Sequence, residues 1–256
     1  MQIRWFRKPT LGRKRPLKHT EMSLLFKAEN LHAFYGKSHV LHGVNFAIEG
    51  GEIVSLLGRN GSGRSTTAKA IMGLVDAEGV LEWQGHNILG KKAFEIAHLG
   101  IGYVPENREI FPGLTVHQNL ILGVKKKRDN SRWSFDDMYQ MFPRLLERQH
   151  TEAGYLSGGE QQMLAIGRAL VSNASVLLMD EPSEGLAPMI VHEVGEILKK
   201  LKSQGFSILL VEQNTSLALQ VADDVVIYNT GRVVFSGSAN QVREQPGVLQ
   251  SNLGIF

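Results

Sequence analysis

Cysteine is absent from this 256-residue chain, which excludes disulfides, thiolate metal sites and a cysteine nucleophile. The lack fits a reducing compartment. No apolar run approaches the ~18–20 residues that span a bilayer, and the first residues hold no apolar core of a secretory signal. Any work at a membrane must therefore go through a partner or through surface charge. Hydrophobic residues make up 43% and charged residues 21%, ordinary for a globular protein. The length suits one large domain, or one with an embedded subdomain, and can bury a substantial core.

Excess positive charge is also missing from most of the chain. Of the formal net +3, residues 1–21 alone supply +6, from Arg4, Arg7, Lys8, Arg13, Lys14, Arg15 and Lys18 against Glu21. The remaining residues are net acidic, so the body gives no reason to invoke nucleic acid. The run Lys125, Lys126, Lys127 and Arg128 has no aromatic interleaving and reads as a solvated loop. Residues 1–21 read as a disordered basic leader. Three readings of it stand: a contact for anionic lipid, a tail for another partner, or sequence upstream of a true start at Met22.

After Met22 a regular pattern begins. Leu24 to Ile48 is β-like, with Val44, Phe46 and Ile48 alternating with Asn45, Ala47 and Glu49. Gly50-Gly51 makes a turn, and Glu52 to Leu57 is an apolar strand. Residues 64–74 read as a helix, with Ala68, Ile71 and Met72 at helical spacing. Residues 115–170 are helical in pattern and form a distinct region. Val176 to Met179 is a continuous apolar run, as a central parallel strand requires. A helix striped by Val194, Ile197, Leu198 and Leu201 follows, then a strand at Ser207 to Val211. Val225 to Tyr228 and Arg232 to Phe235 flank Thr230-Gly231 as a hairpin. Strand–helix alternation predicts an α/β fold with a parallel sheet between helices. There are no internal repeats.

Three motifs carry chemistry. Gly58-Arg59-Asn60-Gly61-Ser62-Gly63-Arg64-Ser65, followed by Thr66, fits the phosphate loop G-x-x-x-x-G-K-[ST] at every place but one. It joins a strand to a helix. Its glycines let backbone N–H groups approach phosphate, and the helix start adds a positive dipole end. The Ser65 hydroxyl is placed to ligand Mg²⁺. Arg64 stands where the motif has lysine, and its planar, longer side chain makes that exchange non-conservative. Second, Leu156-Ser157-Gly158-Gly159-Glu160 precedes a helical segment and offers another hydroxyl and amide anion site. Third, the apolar strand ends in Asp180-Glu181, at the sheet edge where such folds place ligands. Asp180 can hold Mg²⁺ through water, and Glu181 can act as general base.

In this order the three motifs resemble the ABC ATPase family, over roughly residues 24–240. The resemblance implies a P-loop NTPase-type, mainly parallel sheet, with an N-terminal antiparallel β subdomain and a helical subdomain at roughly 115–170, together filling 22–256. It implies ATP and Mg²⁺ as cofactors, with Tyr35 matching the aromatic that stacks on adenine. Ser183 to Ala187 matches the loop that joins two subunits. Glu106 stands where the family usually has a metal-sensing glutamine, and Gln213 where it has a histidine near the γ-phosphate. Gly102 to Glu106, Ile110-Phe111-Pro112, Glu181 to Pro188 and Val211 to Asn214 are similar to the ATP-binding subunits of branched-chain amino-acid importers. Relatives of that subgroup import urea or short amides.

That resemblance implies a composite site. The phosphate loop of one subunit faces Ser157 to Glu160 of another, with ATP between. A second ATP-binding subunit is expected, usually a different chain, with a homodimer as the alternative. Two membrane permease subunits and, indirectly, an external solute-binding protein complete the assembly, at the cytoplasmic face of the membrane. Two rival readings remain open. The chain could be an ATP-binding regulatory subunit with little turnover, which Arg64 favours. ABC proteins that act on DNA or ribosomes usually need long inserts or tandem domains, and 256 residues hold neither.

Overall fold

The computed structural model describes residues 24–125, 132–245 and 247–254. The readings of residues 1–21, of Met22 as a start and of the run Lys126 to Arg128 lie outside these residues.

A four-stranded antiparallel sheet is built first. It holds β1 (Leu24–Tyr35), β2 (Ser38–Glu49), β4 (Asp76–Trp83) and β5 (His86–Asn87), in the order β2-β1-β4-β5. Between β2 and β4 the chain makes β3 (Ile53–Gly58) and α1 (Arg64–Ile71). After β5 come α2 (Ala93–His98) and β6 (Ile101–Val104). Next are α3 (Val116–Gly123), α4 (Phe135–Met141), α5 (Pro143–Glu147) and α6 (Gly158–Val171). The last third runs β7 (Val176–Asp180), α7 (Pro188–Ser203), β8 (Ser207–Glu212), α8 (Thr215–Val221), β9 (Asp224–Asn229), β10 (Arg232–Ser238), α9 (Ala239–Glu244) and α10 (Gly247–Leu253).

The second sheet has the order β10-β9-β3-β8-β7-β6, parallel throughout except for the β9–β10 hairpin. Every residue of β3, β7 and β8 is buried. This is why they read as unbroken apolar runs: both sheet faces are covered. Successive side chains still point to opposite faces. Ile53, Leu57, Leu177, Met179, Ile208 and Leu210 enter one core with the helices of the 116–171 region and α7. Val54, Leu56, Val176, Leu178, Leu209 and Val211 enter the other, against α1 and the antiparallel sheet.

Local chemistry explains most boundaries. The α7 stripe of Val194, Ile197, Leu198 and Leu201 is buried as its spacing predicts, and Pro188 opens the helix where its missing N–H is harmless. Thr230 and Gly231 both have positive φ, 46° and 73°, the turn that matches strand twist in a two-residue hairpin. A Cβ on Gly231 would strike the Val40 carbonyl at 2.0 Å, so only glycine fits. One expectation needs correction: the helix read over 64–74 ends at Ile71. Gly73 has φ +64° and its N–H donates to the Ala70 carbonyl. Glycine at a helix end stops the helix in the left-handed region, and the apolar spacing carried through Met72 only because that side chain packs into the core from the cap. Among the described residues no helix is long and apolar enough to cross a membrane.

Candidate nucleotide site

The site forms at the carboxyl ends of β3, β7 and β8. Gly61 and Gly63 adopt φ +76° and +105°, a wrapping that side chains resist. Gly63 caps α1 without any side-chain hydrogen bond, so the first-turn N–H groups stay free to point at an anion. The loop is braced from behind: the Gly231 N–H donates to the Ser62 carbonyl (2.8 Å) and the His42 N–H to the Gly231 carbonyl (2.8 Å). A Cβ on Gly58 would press on the Tyr228 carbonyl at 3.0 Å as well as on Ser62, and Gly63 has a backbone that side chains rarely adopt, so a larger residue at either place strains the cradle.

Arg64 does not reach outward. It is 3% exposed, and its Nη2 donates to Glu181 Oε1 at 2.8 Å and, at 3.4 Å, to Asn60 Oδ1. Its Nη1 is buried with no partner. Burial works against the guanidinium charge, and the carboxylates of Glu181, Glu212, Asp180 and Glu106 oppose that effect. Arginine stays protonated under such conditions. The residue in the lysine position thus holds the general-base candidate directly, with one donor face still unused.

Asp180 is 1% exposed. Its Oδ2 accepts from the Tyr103 hydroxyl at 3.1 Å, and Oδ1 has no hydrogen-bond partner. Burial raises its pKa, against the influence of the nearby Ser65 and Tyr103 hydroxyls. Glu181 takes φ +48°, a strained backbone for a non-glycine, which turns its side chain back toward Arg64. Its pKa is raised by burial, with the Arg64 charge opposing. Glu212 is 1% exposed, and its two carboxylate oxygens accept from the Ser183 and Asn214 N–H groups at 3.1 and 3.0 Å. One buried acid thereby ties the loop after β7 to the loop carrying Gln213. Gln213 is exposed and lines a cleft of about 620 Å³ with Asn60, Ser183 and Glu184. Glu106 is exposed and close enough to act electrostatically on Arg64, Asp180 and Glu181.

The residues fit a phosphate with a divalent cation. Acidic groups outnumber the basic ones, Asp180 Oδ1 and Arg64 Nη1 are unpartnered in buried positions, and a Ser65 hydroxyl sits beside Asp180. Among the described residues no three His, Cys, Asp or Glu side chains converge on a metal position.

The other expected residues are spread between the loop and the rest of the fold. Tyr35 ends β1 at the hairpin tip, 45% exposed. Arg59, Asn60 and Gly61 are exposed, and Thr66 is buried in the first turn of α1. Ser157 caps α6: its Oγ accepts from the Glu160 N–H, and Glu160 Oε2 accepts from Ser157 N–H and Oγ, both at 2.8 Å. Burial acts to raise the Glu160 pKa, but these bonds and Arg148 bring it below the ordinary value. Ser157 and Gly158 are exposed. The Ser157 side-chain hydrogen bonds stay within this segment and do not reach the phosphate loop. Sequence reading missed Tyr103, Glu212 and Arg108. Tyr103 sits in the quoted run Gly102 to Glu106, and its alternation with Val104 on β6 is the signal that aims it at the neighbouring strand's Asp180.

Residues 41–184 match the sequence model of the ABC transporter family. The chain belongs to that family. It is an ATP-binding, ATP-hydrolysing transporter subunit. A high-affinity branched-chain amino acid transport ATP-binding protein of Pseudomonas aeruginosa, BraG, is 40% identical over 88% of this chain and 98% of its own. A probable branched-chain amino acid transport ATP-binding protein of Archaeoglobus fulgidus, LivF, is 35% identical over 90% and 99%. Lipopolysaccharide export ATP-binding protein LptB of Haemophilus influenzae is 32% identical over 91% and 98%. The ADP conformation of MJ1267, an ATP-binding cassette of an ABC transporter, superposes with a TM-score of 0.74 at 27% identity, covering 89% of this chain and 97% of that one.

The buried acids of this ABC site make a prediction about pH. Asp180, Glu181 and Glu212 all have raised pKa values, burial being the largest cause. The folded protein therefore binds their protons more tightly than the unfolded chain. Stability increases as pH falls through the folded values toward the unfolded ones near ~4. Glu160 is shifted the other way and removes stability only as pH falls through its own depressed value. Thermal melts without nucleotide should show these three acids adding stability as pH falls toward the unfolded carboxylate values, a rise that His42, whose pKa is lowered, opposes. Glu181→Gln should shrink that rise. An equal pH dependence in wild type and Glu181→Gln would contradict the burial reading.

Proposed function

We propose that this chain powers import of a small organic solute through two membrane permease subunits, and that the solute is a branched-chain amino acid. The observation that carries the energy-transducing part is the convergence of Arg64, Ser65, Asp180 and Glu181 at one sheet edge. The solute class rests on the names of the two relatives above, which align along nearly the whole chain. Urea or short amides are the alternative cargo.

In this reading Tyr35 stacks on adenine, and Gly58 to Thr66 wrap the phosphates. Ser65, Asp180 and, at greater distance, Glu106 hold Mg²⁺, and Glu181 and Gln213 serve hydrolysis. The bound ion would supply positive charge that offsets the charge developing on the phosphate. Glu181 Oε1 takes a proton from the attacking water, for which it must first give up the Arg64 Nη2 hydrogen bond. Ser157, Gly158, Gly159 and Glu160 complete the ATP site of a second subunit, usually a different chain. The protein sits at the cytoplasmic face of the membrane, held peripherally by the permeases, with an external binding protein delivering the solute.

The Arg64–Glu181 pair favours one refinement, in which this chain's own site turns over slowly while its Ser157–Glu160 segment keeps the partner's site competent. Transport tests the whole. Co-expression with a second ATP-binding chain and two permeases from neighbouring genes should restore uptake of labelled leucine to a strain lacking it. Uptake of urea instead would move the cargo, and uptake of neither would refute the importer reading.

A further inference from the structure

Arg108 lies two residues beyond Glu106 and belongs to no element. Its Nε donates to Gln162 Oε1 on α6 at 3.2 Å, and its Nη2 to the Glu184 carbonyl at 3.1 Å, in the loop after β7. Its Nη1 would stand 3.6 Å from a Cβ on Gly158, beside Leu186. One guanidinium thus touches the start of the α6 signature and the 183–187 loop together. Among the described residues no carboxylate lies within ion-pairing distance of it. A cation beside a helix N-terminus is electrostatically unfavourable, so charge does not account for its place.

The backbone is bent to put it there. Arg108 and Glu109 both have positive φ, 59° and 45°, a strained pair that persists only when its surroundings over-determine it. Arg168, on α6, supplies the constraint: its Nη2 donates to the carbonyls of Arg108 and Glu109 at 3.2 and 2.7 Å, and its guanidinium lies 5.4 Å from the Phe111 ring centre. Gln162, the acceptor for Arg108, is 2% exposed and has little freedom to turn away. Helix α6 therefore holds the turn through Arg168, and the turn holds α6 to the 183–187 loop through Arg108.

We propose that Arg108 is a positioning residue that locks the signature segment Ser157–Glu160 in register with the loop Ser183–Ala187. The two surfaces that face a second subunit then move as one body with the segment carrying Glu106. This rests on the ATPase reading above for its kinetic consequence only. A fixed two-pronged donor is needed, because the acceptors on Gln162 and Glu184 must be met by adjacent nitrogens in one plane. Lysine, a single point donor, cannot meet both.

The test uses the full chain assembled with its second ATP-binding subunit and permeases, carrying Arg108→Ala, Arg108→Lys or Gln162→Met. Steady-state ATP turnover, ATP affinity by titration and amide hydrogen exchange over 157–162 and 183–187 are read for each. Arg108→Ala should lower kcat about tenfold and change ATP affinity by less than about twofold, the pattern of lost alignment and not of lost binding. Exchange should accelerate in both segments together. Arg108→Lys should behave as Arg108→Ala does, and Gln162→Met should show the same changes at smaller size. If Arg108→Ala does not fold, Gln162→Met decides by the same criteria. Unchanged kcat, full rescue by lysine, a parallel loss of ATP affinity or acceleration in only one segment would each overturn the proposal. A wild-type assembly that binds ATP without turnover would contradict the ATPase reading instead, and paired exchange alone would then decide for or against the lock.

Discussion

With the partner's phosphate-loop lysine replaced, so that only this chain's own site can turn over, Glu181→Gln should lower ATP turnover by about a thousandfold, the middle of the range for losing a positioned general base, while the protein binds ATP more tightly than wild type. Both effects follow from one contact. Glu181 Oε1 accepts from Arg64 Nη2 at 2.8 Å, so the proposed base and the proposed phosphate-binding cation occupy each other. A phosphate that enters must compete with a buried carboxylate for the guanidinium, and charge-assisted bonds are roughly twice as strong as neutral ones. The amide of glutamine keeps the shape, accepts from Arg64 more weakly, and no longer repels phosphate. Arg64, with Nη1 already unpartnered, is then free to turn its full fork toward the anion. Phosphate release assays and an ATP titration on the same preparation read both halves. Turnover within tenfold of wild type would remove Glu181 from the base role, and weaker ATP binding would show that the pair supports nucleotide instead of competing with it.

Asp180→Asn should weaken the Mg²⁺ dependence of turnover by about a hundredfold, as expected when a group that orients metal-bound water loses its charge. The same change should raise the melting temperature without nucleotide. Asp180 is buried, its Oδ1 has no partner and its pKa is raised by that burial. The charge is therefore a liability to the fold that serves the site. Asparagine is close to isosteric, still accepts from Tyr103, and removes the desolvated charge. Function and stability should thus move in opposite directions. A Mg²⁺ titration with an unchanged midpoint, or a melting temperature that drops by several degrees, would contradict the assignment.

Much of the architecture was legible because its signals are local. Continuous apolar runs marked β3, β7 and β8, the phosphate loop sat between strand and helix as its glycines require, and Thr230-Gly231 announced the β9–β10 hairpin. Short elements were not legible. β5, β6 and α2 span two, four and six residues, too few for a periodicity to accumulate, and β4 is largely exposed over its first half. Within the site, residue types at motif positions could be read from the chain, but partners across the sheet could not. Tyr103 reaches Asp180 from 77 positions away and Glu212 reaches Ser183 from 29, and only the parallel register brings them together. Arg108 carried no signal at all, because its role lies in two left-handed backbone residues that no residue type announces. The lysine-to-arginine change was visible, but its consequence was not: the guanidinium turns inward to the base instead of outward to solvent.

That inward turn is the central feature of this ABC subunit. Glu212 binds the loops carrying Ser183 and Asn214, Tyr103 fixes Asp180, and Arg64 joins Glu181 to the phosphate loop. Lysine at position 64 has one charged nitrogen, strongly hydrated and reaching straight to phosphate, and it would hold Glu181 less firmly. The most direct measurement is single-turnover ATP hydrolysis by wild type and Arg64→Lys, each paired with a partner chain whose own phosphate-loop lysine has been replaced. Only this chain's phosphate loop can then support hydrolysis. The account predicts slow hydrolysis in wild type and a rate about tenfold higher in Arg64→Lys, as expected when a misaligned group is corrected. An equal or lower rate in Arg64→Lys would contradict it.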